Sequence, residues 1–245
     1  MLVNDTRLVG ACSETLTLWW YPSFRADPAG HHHAAAVIGG ELYLVGGLER
    51  RAQCLSRECI GEVQIYNPAA NSWRLGAKLP WKTSGSVSAA LIGSRFYACG
   101  GVYELKHKRF SDGYRRPGNP RQCGYYTPPA KQLQADVDTA DRGSWTMVAS
   151  MLQGVDHASA GTDGSNLFIF GGRSDGVNVN DAGIDLVQVY DPQRNSWRRG
   201  PAPLPFGRGG MGAAVFLGGR FFVFGGETKL HAEDSNAVWA TGLYR

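Results

Sequence analysis

The chain has 245 residues, 43% hydrophobic and 19% charged, an ordinary globular balance with length enough for one large all-β domain over residues 1–245. No apolar run approaches the ~20 residues of a membrane-spanning helix, and residues 1–7 lack the charged start and apolar run of a secretory leader. A cytoplasmic chain, or one whose true beginning is missing, is therefore expected, and a formal charge of +4 excludes a globally basic nucleic-acid binder.

In chain order, residues 16–20 come first, with Trp19 and Trp20, and read as the fourth strand of a unit whose earlier strands do not precede it. A first full unit follows at about 31–80. It holds a small-residue strand through Ala34 and Val37, a second through Leu42 and Val45 closed by Gly46 and Gly47, a third through Val63 and Tyr66, a turn at Asn67 and Pro68, and Trp73. A second unit at about 82–151 keeps Phe96, Cys99, Gly100, Gly101 and Trp145 but has no clear third strand. The third, at about 154–204, repeats the first feature by feature, with Ala158, Leu167, Gly171, Gly172, Val187, Tyr190, Asp191, Pro192 and Trp197. Last come strands predicted at 211–216 and 221–224, the pair Gly225 and Gly226, and a third strand at 237–244.

The glycine pairs recur at steps of 54, 71 and 54 residues, the self-similarity of a propeller or solenoid, with the middle step lengthened by an enlarged loop. The tryptophans keep the same time: Trp19, Trp73, Trp145 and Trp197 precede the next glycine pair by 27, 27, 26 and 28 residues. Runs such as Leu167 to Phe170 do not alternate apolar with polar, so these strands are expected to be covered on both faces, as between stacked blades. Each tryptophan buries about 150–250 Å², enough to fill the wedge that opens toward the rim.

The order of Tyr43, the pair Gly46 and Gly47, Tyr66 with Asn67 and Pro68, then Asn71, Ser72 and Trp73 resembles the kelch repeat. The resemblance covers residues 31–245 and implies four-stranded blades. The expected fold is thus all-β, a kelch-type β-propeller of about four blades. Three are complete (about 31–80, 82–151 and 154–204) and one is split between the N- and C-terminal segments, or else the chain is an open arc of a larger propeller. Pairing of residues 16–20 with the last blade would close the ring.

Up-and-down blades place every second-to-third connection on the same face as the inter-blade segments. That face gathers 48–62, 102 to roughly 132, and 173–185 with 80–86, 151–157 and 203–209. Residues 102–131 carry a net charge of +5, together with tyrosines, and loops this long are usually functional or disordered. The candidate binding residues are Arg50, Arg51, Arg57, Arg109, Tyr114, Arg115, Arg116, Tyr125, Arg173 and Arg208, since a guanidinium holds a carboxylate through two hydrogen bonds. A protein, or an acidic peptide or carbohydrate, is the expected partner; nucleic acid and membrane are not.

Five cysteines leave at least one unpaired within the chain. Cys99 reads as a small buried hydrophobe, while Cys54, Cys59 and Cys123 fall in predicted loops. The Cys54 to Cys59 spacing lacks a downstream partner pair, so no zinc site is expected. The resemblance also extends to copper-dependent galactose oxidase, but His31, His32 and His33 are adjacent and cannot all face one metal. His157 marks the equivalent strand start and reads as structural. Without a nucleophile elbow, phosphate loop or metalloprotease helix, the expectation is a non-catalytic binding module with no cofactor. A truncated galactose oxidase-like, or sugar-binding or sugar-modifying, propeller is the alternative.

Overall fold

The structure is a computed structural model that describes residues 32–49, 58–59, 61, 63–81, 83, 85–102, 119–129, 142–174, 183–228 and 238–241. All seventeen elements are strands, and no helix is long and apolar enough to cross a membrane among these residues.

The strands form four antiparallel sheets in sequence order. Blade 1 comprises β1 (Ala34–Ile38), β2 (Glu41–Val45), β5 (Gln64–Asn67) and β6 (Ser72–Leu75), with the two-residue pair β3 (Leu48–Glu49) and β4 (Glu58–Cys59) in its long connection. Blade 2 comprises β7 (Ser88–Ile92), β8 (Arg95–Cys99), β9 (Cys123–Thr127) and β10 (Ser144–Val148), and blade 3 β11 (Ser159–Thr162), β12 (Leu167–Phe170), β13 (Val187–Asp191) and β14 (Ser196–Arg199). Blade 4 has β15 (Val215–Leu217), β16 (Arg220–Phe224) and β17 (Val238–Ala240). Residues 16–20, on which ring closure depends, lie outside the described residues.

Three apolar clusters hold the blades face to face. Tyr43, Val45, Ile65, Phe96 and Tyr126 join blade 1 to blade 2. Tyr97, Met151, Leu167, Ile169 and Tyr190 join blade 2 to blade 3, and Phe170, Val189, Phe221 and Val223 join blade 3 to blade 4. The middle strand β12 is covered on both faces, with Leu167, Ile169 and Phe170 buried, which is why its sequence does not alternate.

The outer strands carry the tryptophans. Trp145 donates its indole N–H to Ala77 O (3.1 Å) and Trp197 to Ala149 O (2.8 Å), in both cases across to the segment that leaves the preceding blade. Each tryptophan also lies opposite a tyrosine on the third strand: Trp73 on Tyr66, Trp145 on Tyr126 and Trp197 on Tyr190. Burial pushes the Tyr190 hydroxyl up to about 12, so it remains a neutral donor, here to Asn195 Oδ1 at 2.8 Å. Tyr66 donates likewise to Asn71 Oδ1 at 2.7 Å. Asn71 and Asn195 both have positive φ, 48° and 47°, a conformation asparagine tolerates better than most residues. The Asn-Ser-Trp motif is therefore a turn anchor followed by a wedge.

Blade 2 departs from the expectation in its third strand. Residues 123–127 form β9, paired with both β8 and β10, so the long connection ends before them rather than near 132. Pairing β9 with β8 sets Cys123 directly opposite Cys99, and the two are joined as a disulfide with Cα atoms 4.2 Å apart. Cys99 is thus a cystine half rather than a lone buried hydrophobe, and Cys123 is a strand residue rather than a loop residue.

Candidate functional site

The segments that enter the blades converge on one face, where the chain repeats a single backbone device four times. His32, Ser86, His157 and Gly210 each stand just before or near the first strand of their blade with φ of 62°, 54°, 50° and 71°. Ser86 N–H donates to His32 O (3.1 Å), His157 N–H to Ser86 O (3.3 Å), and Gly210 N–H to His157 O (2.9 Å). This string of hydrogen bonds fixes the inner ends of the four blades relative to one another.

The glycine pairs lock the same region from the second strands. Gly101 N–H donates to Val155 O (3.0 Å) and Gly172 N–H to Arg208 O (2.8 Å), each reaching into the segment that opens the next blade. At Gly101, with φ of 99°, a Cβ would collide with Thr83 Oγ1 and stand 2.7 Å from Gly85 O. Only glycine lets the end of β8 come so close to the segment that opens its own blade.

Polar side chains cluster inside this frame. Asp156 and Arg173 exchange both backbone hydrogen bonds, at 3.0 and 2.8 Å. The Arg173 guanidinium, mostly buried, reaches Glu227 Oε2 at 2.6 Å. Arg208 is 2% exposed; its Nη1 donates to Gly225 O (2.7 Å), and its guanidinium carbon lies 5.5 Å from the centroid of the Trp239 ring. Its Nε is buried with no acceptor, and no carboxylate pairs with it among the described residues. A buried cation without a counter-ion is costly.

Beside them, His157 Nδ1 lies 2.5 Å from Asp156 Oδ1 and Nε2 lies 3.1 Å from Ser86 Oγ. Asn119 Nδ2 donates to Asp156 Oδ2 (2.9 Å) and to Arg173 O (2.8 Å). The His32 ring meets the His157 ring edge-on at 5.2 Å. Among the described residues no group of three or more His, Cys, Asp or Glu side chains is arranged to hold a metal ion.

Of the ten candidate binding residues, Arg173 and Arg208 are brought together, on adjacent hydrogen-bonded segments of this face. Tyr125 is not on a loop. It lies in β9, because the third strand of blade 2 runs through it, and its ring packs against Tyr97 (5.3 Å) beneath the Arg95 guanidinium (4.6 Å). Arg50, Arg51, Arg57, Arg109, Tyr114, Arg115 and Arg116 lie outside the described residues. Ser86, Asn119 and Asp156 were not singled out by the sequence. The one signal available was Asp156 beside His157 at a strand start, since a carboxylate there needs a partner if the position is buried.

The Kelch motif family matches residues 29–80 and 156–204, which correspond to blades 1 and 3. Kelch-like protein terF of Aspergillus terreus is 28% identical over 203 residues, covering 82% of this chain and 39% of that protein. Kelch-like protein 25 of Xenopus tropicalis is 27% identical over 205 residues, covering 82% and 30%. An N-acetylneuraminate epimerase of Pasteurella multocida is 35% identical over 80 residues, 32% of this chain and 21% of that one. The solved structure titled "Structure of YjhT" superposes with a TM-score of 0.61 over 87% of this chain and 63% of its own, at 17% identity, a likeness of fold alone. The chain spans well under half the length of the two Kelch-like relatives.

Proposed function

We propose, from the premise that this chain is a kelch-repeat β-propeller similar to Kelch-like proteins, that it binds a protein or acidic ligand through the face of its second-to-third and inter-blade connections. The observation that carries this reading is Arg208, a buried guanidinium without a carboxylate among the described residues, held on that face beside Arg173. Arginine is suited to such a role because its fixed fork matches a carboxylate. The frame supports it as well: segments already held by a string of hydrogen bonds lose less freedom when a partner docks. The basic, tyrosine-bearing stretch 103–118 adds positive charge in sequence next to this frame. The sugar-modifying alternative has behind it an 80-residue likeness to an epimerase, over 32% of this chain.

The test is a peptide and glycan array screen followed by titration of the hit at rising salt. Binding that weakens with salt and falls at least tenfold in the Arg115→Ala, Arg116→Ala double variant supports the proposal, because exposed charge pairs are screened over about 8–10 Å. Salt-independent binding, unchanged in that variant, returns the basic loop to a solvated insertion.

A further inference from the structure

We infer that Ser86, His157 and Asp156 form a nucleophilic relay, giving this face an acyl-transfer activity toward esters beyond the binding proposed above. Three side chains from two different inter-blade segments are aligned in the order such chemistry requires. Asp156 is an acceptor when ionised, so the 2.5 Å contact places the imidazole proton on His157 Nδ1. That leaves Nε2 as an acceptor, 3.1 Å from the Ser86 hydroxyl, within the reach of a base that takes its proton. The third requirement is a fixed orienting group. Asp156 is 4% exposed and its second oxygen accepts from Asn119 Nδ2, which is itself tied to Arg173 O. The carboxylate therefore cannot swing away from the ring, the role the acid plays in serine hydrolases on unrelated folds.

Backbone geometry adds a second observation. Ser86 sits at φ 54°, a left-handed conformation at a tight bend, and glycine fills the same place in blade 4 as Gly210. His32 and His157 share that conformation, so the bend belongs to the ring rather than to the chemistry. What is particular to Ser86 is that its side chain meets the histidine of the next blade. The N–H of Val87, the residue after the serine, has no backbone acceptor among the described residues. The residue following the nucleophile supplies one oxyanion donor in ester-cleaving α/β enzymes, and Val87 is the corresponding donor here.

The step balances with water alone. Ser86 Oγ adds to the ester carbonyl carbon as its proton passes to His157 Nε2. The carbon–oxygen bond to the leaving alcohol then breaks, and that alkoxide takes the proton from Nε2. Water attacks the acyl-serine with His157 again as base, releasing the acid and restoring the hydroxyl.

A fluorophosphonate probe tests this on the full chain, with intact mass and peptide mapping as readouts. The expected result is one adduct per chain, on the peptide bearing Ser86. Ser86→Gly, whose backbone suits the left-handed bend, should show none while keeping the near-UV circular dichroism of the parent. His157→Gln should label at least 100-fold more slowly, the usual worth of a positioned base. A wild-type chain that takes no label, or takes it elsewhere, overturns the assignment. So does labelling of Ser86 at an undiminished rate in His157→Gln, since the relay would then do nothing.

Discussion

Replacing Gly101 and Gly164 separately with alanine isolates what the close approach of Gly101 to the segment opening blade 2 is worth. Both glycines have nearly the same left-handed backbone, with φ of 99° and 92°, so the conformational penalty for a Cβ, about 1–2 kcal/mol, is common to both. Their surroundings differ. At Gly164, in the turn between β11 and β12, nothing lies within 4 Å of the added Cβ. At Gly101 it would collide with Thr83 Oγ1, stand 2.7 Å from Gly85 O and 3.1 Å from Val87 Cγ1. All three belong to backbone or to a β-branched side chain of the segment that opens blade 2, so relief requires that segment to shift away from the end of β8. Overpacking of this kind adds about 1–3 kcal/mol. Gly164→Ala should therefore lose about 1–2 kcal/mol and Gly101→Ala about 2–5 kcal/mol. Urea unfolding followed by tryptophan fluorescence reads the difference directly. With a slope of about 2–3 kcal/mol per molar, the midpoint should fall roughly twice as far or more for Gly101→Ala. Equal shifts would refute the claim that the second glycine of the pair is required for close approach to the segment that opens its blade rather than for its turn alone.

Asn195→Ala should cost about 2–4 kcal/mol in the same assay. It removes the acceptor for both Tyr190 O–H and Ala149 N–H, each 2.8 Å away, and puts alanine at φ 47°, with each orphaned donor costing about 1 kcal/mol. Asn195→Gly should recover the backbone share only; full recovery would mean that the hydrogen bonds contribute nothing. Burial alone would raise the Asp163 carboxyl, but N–H donors from Asn166 and Ser165 outweigh it and hold the group below the usual carboxylate range. The sign follows: this stabilisation is complete above about pH 4, the unfolded value, and disappears as pH falls through the lower folded value. A pH series of unfolding midpoints should be flatter in acid for Asp163→Asn, and an unchanged acid limb would contradict the turn contacts. Peptide mapping of the denatured, alkylated but unreduced protein should recover Cys99 and Cys123 on linked peptides. Recovery of both as alkylated thiols would show that the opposed pair is reduced.

The blades were legible because each rests on residues with no cheap substitute. The glycine pairs mark close approach of backbone, and the tryptophans and turn asparagines recur since each blade must fill the same wedge and make the same turn. Strand β9 was hidden because its sequence, Cys123 to Thr127, lacks the Val-Gln-x-Tyr pattern of β5 and β13 and lies between prolines in a basic stretch. Its tyrosine signature is present all the same. Tyr126 stands opposite Trp145 as Tyr190 does opposite Trp197, but it is 19 residues from its tryptophan rather than 7 and gives its hydroxyl to Arg142 O. The side-chain relay could not be read from local pattern, since Ser86 and His157 are 71 positions apart and Asn119 and Asp156 are 37 apart. Only the stacking of blades 2 and 3 brings them into contact. That Arg173 and Arg208 lie on neighbouring segments was legible because up-and-down strand order puts both connections on one face. Tyr125 was placed on the loop because β9 lacks the third-strand pattern, whereas residues 123–127 pair with β8.

The loop-face account is tested most directly by comparing two charge removals at opposite ends of the strands, using the ligand drawn from the peptide and glycan array. Arg115→Ala with Arg116→Ala strips charge from the β8 to β9 connection. Arg194→Ala strips it from the exposed turn between β13 and β14, where its head is paired with Asp191 at 2.6 Å. The account predicts at least a tenfold loss of affinity for the first, measured by isothermal titration with unfolding midpoints unchanged, and no change for the second. Affinity that survives the first and falls with the second would place the binding surface on the hairpin turns and contradict it.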